Sequence, residues 1–137
     1  MRYRRLTYRY TVVTNRALAW PLAPPGWGRD LSTLLQGRWR PDADVCETAG
    51  SIDIVVELAG VDERDVEIQL FADAVVVEGQ RRLPACDQEA VYHAAAVRQG
   101  PFRLEVPLPA AVDAATVEAT CDRGLLRISL RKAEGRR

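Results

Sequence analysis

The sequence predicts an all-β, immunoglobulin-like antiparallel β-sandwich preceded by an irregular N-terminal arm. Three observations predict it. From position 39 onward apolar residues recur at every second position in short runs, the mark of strands with one buried face. Glycine and proline close those runs, and no part of the body sustains helical spacing. Strands of this kind bury one face each by packing two sheets together.

Taken in order, Ile52, Ile54, Val56 and Leu58 oppose Ser51, Asp53 and Glu57, and then Val66, Ile68 and Leu70 oppose Asp65, Glu67 and Gln69. Only Ala72-Asp73 separates the second run from Ala74 to Glu78, which suits a tight hairpin although the favoured Asn-Gly or Asp-Gly pair is absent. The alternation returns in Phe102, Leu104, Val106 and Leu108, in Val117, Ala119 and Cys121, and in Leu126, Ile128 and Leu130. Six strands follow, bounded by Gly60, Gly79, Gly100, Pro107, Pro109 and Gly124. Residues 80–99 interrupt the series, and a loop of that length usually has a task.

The chain of 137 residues is long enough for one domain with a real core. Residues 1–40 hold all three tryptophans, three of the four tyrosines and the Pro/Gly-rich stretch Pro21 to Gly28. Within this arm Tyr8 to Val13 has strand-forming residues, and Leu31 to Gln36 suits a short helix with Asp30 as its N-cap. Charge is split along the chain. Residues 1–40 carry 8 basic residues against 1 acidic, residues 41–130 carry 7 against 17, and residues 131–137 carry 4 against 1. A basic arm can bind nucleic acid or anionic lipid through phosphate contacts. It can equally be attracted to the acidic body of its own or a second subunit, so self-association is the preferred reading and no specific nucleic-acid partner is expected.

No apolar run approaches the roughly 20 residues that span a bilayer, and the start is not a hydrophobic signal segment, so a cytoplasmic location is expected. Cys46, Cys86 and Cys121 are widely spaced, form no Cys-x-x-Cys pair and accompany a single histidine, which excludes the usual zinc and redox patterns. Cys121 shares the inward phase of Val117 and Ala119, whereas Cys86 follows Pro84 in a loop and would oxidise if exposed. His93 has no nucleophile or paired carboxylate beside it, and Gly26-Trp27-Gly28 lacks the features of a phosphate loop. Neither an enzyme nor a cofactor or metal is expected.

Several strings, in order, resemble the α-crystallin domain of the small heat shock proteins across residues 39–132. Trp39 to Thr48 is similar to that family's opening strand, and Glu57-Leu58-Ala59-Gly60-Val61 resembles its E-L-P-G-V turn with alanine in place of proline. Asp65 to Ile68 and Val75 to Arg81 look like the next two strands. Tyr92-His93, Gly100-Pro101-Phe102 and Pro107-Leu108-Pro109 match the Y-H, G-x-F and L-P series, and Ala119, Gly124 and Leu126 fit the A-x-x-x-n-G-v-L signature. Leu104 stands where the family usually has an arginine near the dimer interface.

The resemblance implies an ATP-independent chaperone, a holdase that binds unfolding client proteins, with a partner-specific adaptor or co-chaperone-like module on the same sandwich as the alternative. It divides the chain into an arm at 1–38, the domain at 39–132 and a short tail at 133–137. It implies that residues 80–99 carry a strand exchanged with a second copy, with Val91, Tyr92, His93 and Phe102 at the homodimer interface. Val66, Ile68, Leu70, Val117, Ala119 and Cys121 would line the groove that receives an Ile-x-Ile tail in the family. Residues 133–137 hold no such motif. The expectation is therefore a dimer, a small higher oligomer or a hetero-oligomer with another small heat shock protein, the groove being filled by the arm or by another protein's tail. Tyr8, Tyr10, Trp20, Trp27, Leu31, Leu34 and Leu35 of the arm are the expected client or arm contacts, since aromatic and aliphatic side chains on a proline-broken segment suit many shapes.

Overall fold

Alternating residues become eight strands in the computed structural model, which describes residues 10–13 and 38–135. They are β1 (Tyr10–Val13), β2 (Ala43–Glu47), β3 (Ser51–Glu57), β4 (Val66–Phe71), β5 (Ala74–Arg81), β6 (Gly100–Pro107), β7 (Glu118–Asp122) and β8 (Leu125–Arg131). Two four-stranded sheets result, ordered β1-β4-β5-β6 and β2-β3-β8-β7. Every pair is antiparallel except β1 with β4, which run parallel. The six expected strands are all present, and Ala72-Asp73 is the two-residue link between β4 and β5. No α-helix occurs among the described residues; short 3-10 turns at Glu63–Asp65 and Ala114–Thr116 are capped by the carboxylates of Asp62 and Asp113.

The inward phase of each strand fills the space between the sheets. In β3, Ile52, Ile54 and Val56 have no exposed surface, and Leu126, Ile128 and Leu130 of the neighbouring β8 continue that layer. Ile68, Leu70, Val75, Val77, Leu104 and Val106 face them from the other sheet. Burying each such side chain is worth about 1.5–3 kcal/mol, so this layer dominates stability. β5 is inaccessible along most of its length because it lies between β4 and β6 and Val76 is covered as well.

Two glycines are required by close approach. Gly79 of β5 lies against the Asp65 carbonyl and the Phe102 ring, whose Cζ would stand 2.6 Å from a Cβ built there. Gly124 combines a φ of +82° with contact against Ala59, whose Cα would lie 2.6 Å from such a Cβ. The turn that links β7 to β8 therefore packs directly on the turn that leaves β3, and Leu58 N–H donates to the Gly124 carbonyl at 2.7 Å. The small side chain of Ala59 fits this junction.

Gly79→Ala is expected to destabilise the domain by about 1–3 kcal/mol through overpacking. Gly50→Ala, with nothing within 4 Å of the added methyl, should change stability by no more than about 0.5 kcal/mol. Urea denaturation of both variants checks the contrast.

Candidate functional site

The places where this sandwich can act are its strand edges and the long loop between β5 and β6. The base of the loop is set by one cluster at the end of β5. Trp39 enters beside β6, where its N–H donates to the Pro101 carbonyl at 3.1 Å, its carbonyl accepts from Arg103 N–H at 3.0 Å, and its indole N–H donates to the Gly100 carbonyl at 3.1 Å. Its ring lies 5.3 Å from that of Phe102 at a tilt of 58°. The Arg81 guanidinium sits over the indole, 4.3 Å from the ring centroid, where the electron-rich face attracts a cation. Arg81 is the one buried charged residue among those described. Its Nε donates to the Arg98 carbonyl at 2.7 Å and its Nη1 to the Ala59 carbonyl at 3.3 Å, with Glu57 3.9 Å away.

Arg81 and Arg98 thus close the base of the loop, and Arg98 in turn donates to the Arg40 carbonyl at 3.3 Å. Between these stems residues 82–99 form no strand, and all but Leu83 are exposed. An Asp87 turn, with Ala90 N–H donating to the Asp87 carbonyl, is the main regular feature. Val91 is 77% exposed, Tyr92 62% and Val97 66%, and His93 is exposed beside them. A hydrogen bond with Cys86 pushes the Tyr92 phenol above its ordinary range, and the thiol's own charge adds to this. Cys86 and Cys46 are exposed and Cys121 is half-buried.

Phe102 departs from its expected place at an interface. It is 1% exposed and packs in the core against Trp39, as the inward phase of β6 requires. The residues expected to line one groove are divided. Val66, Ile68 and Leu70 are closed into the core, whereas Val117, Ala119 and Cys121 are half-buried and pack at its margin. Leu126 is a core residue, and Gly124 shapes the β7–β8 turn. The flank beyond β4 is not bare: β1 pairs there, placing Tyr10 of the arm opposite Ile68. Tyr8, Trp20, Trp27, Leu31, Leu34 and Leu35, like the helix expected at Leu31 to Gln36, lie outside the described residues.

At the opposite flank β2 pairs with β3 alone, and every residue from Asp44 to Glu47 is exposed, including Val45 at 47%. Sequence reasoning missed Arg81 and the exposed Val45, Val97 and Leu125. The ending Gly79-Gln80-Arg81 was the available signal for the first. No cluster of side chains suited to a metal occurs among the described residues. Beside the β3–β4 turn, a salt bridge and hydrogen bonds from Arg64, together with its backbone N–H, lower the Asp62 carboxyl to about 2.

A long loop with a clamped base, on a sandwich whose β2 flank is open, sets the class of the molecule: a two-sheet β-sandwich. The chain belongs to the Hsp20/alpha crystallin family, whose sequence profile matches residues 44–137. Small heat shock protein C2 of Rickettsia felis is 27% identical over 94 residues, covering 69% of this chain and 61% of that protein. Spore protein SP21 of Stigmatella aurantiaca is 33% identical over 92 residues, covering 67% and 54%. The chain therefore spans little more than half the length of these relatives. Among solved structures, heat shock protein 16.0 of Schizosaccharomyces pombe superposes with a TM-score of 0.65 at 27% identity, covering 73% of this chain and 93% of that one. A small heat-shock protein of Xylella fastidiosa, described as having a distinct high order structure, gives 0.61 at 26% identity, covering 73% and 94%.

Arg81→Met is expected to cost about 1–3 kcal/mol, because the Ala59 and Arg98 carbonyls lose their donor. Amide exchange next to Arg98 should accelerate as well. Arg81→Lys should recover little of either, since an ammonium lacks the planar fork that spans two carbonyls; urea denaturation and hydrogen exchange measure both effects. For Asp62, a folded-state value below the ordinary 3.8 means stabilisation that is complete above that value and lost as pH falls through about 2. An NMR titration should place the Asp62 midpoint near 2, and Asp62→Asn should flatten the pH dependence of stability in that window.

Proposed function

We propose that this protein is an ATP-independent holdase that binds unfolding proteins through exposed apolar side chains and prevents their aggregation. The observation that carries the reading is the β5–β6 loop: Val91, Tyr92 and Val97 stand in solvent while the loop's base is fixed by Arg81. Binding an unfolded chain shifts its equilibrium by mass action and needs no catalytic group. Membership of the Hsp20 family supports this role.

The same loop is the proposed means of dimerisation. An extended segment around Val91, Tyr92 and His93 would add to the open β2 edge of a second copy through main-chain hydrogen bonds, which tolerate the Ala94-Ala95-Ala96 composition. The exposed Asp44 to Glu47 strand supports β2 as the acceptor. No helix among the described residues is long and apolar enough to cross a membrane, and action in the cytoplasm is part of the proposal. The arm aromatics Tyr8, Tyr10, Trp20 and Trp27 are proposed as further client contacts.

Heat-aggregation assays test the reading. The protein should suppress aggregation of several unrelated clients at stoichiometric ratios without nucleotide. Protection of one client alone would instead identify a partner-specific adaptor. Light scattering should report a dimer or few-mer, and a uniform particle of about 24 or more subunits would overturn the small-assembly reading.

A further inference from the structure

The β5–β6 loop takes no regular form over residues 82–99, yet part of it is composed like a helix. Residues 88–99 contain neither glycine nor proline and include Ala90 and Ala94 to Ala96. Alanine is the best helix former and is depleted in strands, so composition here weighs against the extended form. Helical spacing would gather Ala90, Val91, Ala94 and Val97 along one side and leave Glu89 and His93 away from it. A stripe of two turns is too short to stand out as sustained periodicity.

The stronger signals lie at the ends, and the structure has both in place. At the start the Asp87 carboxylate accepts from Glu89 N–H at 3.0 Å, the bond an N-cap makes to its second helical residue. Ala90 N–H donates to the Asp87 carbonyl at 2.9 Å and closes one turn. Glu89 puts an acidic side chain in that turn, and Cys86, just before the cap, is hydrogen-bonded to Tyr92 across it. At the end Gly100 has a φ of +87°, the left-handed backbone on which helices commonly terminate. The Arg98 carbonyl would belong to the last turn, whose carbonyls have no partner within a helix. It accepts from the buried Arg81 guanidinium at 2.7 Å, which places a cation at the favourable end. Between these caps the segment is uncovered, and a helix of about a dozen residues is marginal in water without packing.

We propose that residues 88–99 are a two-state segment, in which a helix capped by Asp87 and Gly100 competes with the extended form that a second copy takes up. The helix closes its main-chain bonds within itself and so withdraws Val91, Tyr92 and His93 from pairing between copies. Dimerisation is then set against helix stability. The inference deepens the strand-exchange reading and rests on it for this competition, whereas the helix is a property of the single chain.

The test uses the full chain at concentrations spanning its dimer constant. NMR Cα shifts from Glu89 to Arg98 read the helix, and sedimentation reads the dimer. The variants leave Val91, Tyr92 and His93 unchanged. Asp87→Ala removes the cap and should lower the ratio of helix to extended form about fivefold. Gln88→Glu/Val97→Ala adds a carboxylate to the first turn and a better helix former to the last, and should raise that ratio about threefold. Because two loops are exchanged, the second variant should dimerise about two- to threefold more weakly than the wild type, and Asp87→Ala about twofold more tightly. Shifts in β3 and β8 should stay as they are. Absence of helical shifts in both the wild type and Gln88→Glu/Val97→Ala overturns the two-state segment. Helical shifts that follow the variants while the dimer constant stays fixed overturn the competition. A chain that remains monomeric at every concentration removes the strand-exchange reading and the competition with it, and the shifts then decide the helix by themselves.

Discussion

The buried guanidinium of Arg81 is the constraint on which the exposed parts of this molecule depend. A charge taken out of water costs several kcal/mol unless it is surrounded by partners. Here the partners come from three separate stretches of chain: the Trp39 ring at the start of the domain, the Glu57 carboxylate and Ala59 carbonyl where β3 ends and turns, and the Arg98 carbonyl at the end of the long loop. One side chain therefore ties the entry of the domain, a turn and both stems of the loop to one point. The loop can leave its apolar residues in solvent because its ends are not free to move with them.

Around that point the sandwich divides its labour by layer. Ile52, Ile54, Ile128 and Leu130 supply stability and reach no partner. The flanks present main-chain donors and acceptors, which at a strand edge can pair with an extended segment. Ion pairs such as Arg103 with Glu78 at 2.7 Å join β6 to its neighbour β5 on the outer face of one sheet.

How far the sequence discloses this depends on whether a residue's environment leaves a periodic trace. The inward phase of β3, β4, β6 and β8 is legible because one face of each is dry. β2 is not legible in that way: four of its five residues are exposed, and only its resemblance to a family strand marked it. Phe102 shows periodicity outranking analogy, because its phase pointed inward while the resemblance placed it at an interface, and it lies in the core. Alternation likewise could not separate Val66, Ile68 and Leu70, which are sealed, from Val117, Ala119 and Cys121, which are half-covered. Arg81 carries no apolar signal at all, since its burial depends on carbonyls distant in sequence. For the arm, the strand-forming character of Tyr8 to Val13 was visible and the resemblance offered the groove beside Val66, Ile68 and Leu70 as one place for it, but its direction was not, because a parallel pairing with β4 has no local turn to announce it.

The β1–β4 pairing is also the contact whose energetics suit reversal. A main-chain hydrogen bond contributes about 0.5–1.5 kcal/mol net, while fixing one residue's backbone costs about 1–2 kcal/mol. Over a four-residue strand these terms nearly cancel, so the balance turns on the tether, on charge and on whatever apolar surface is covered. The inner strands are different: β5 is paired on both sides and packed against the core, and its release would require the sandwich to open.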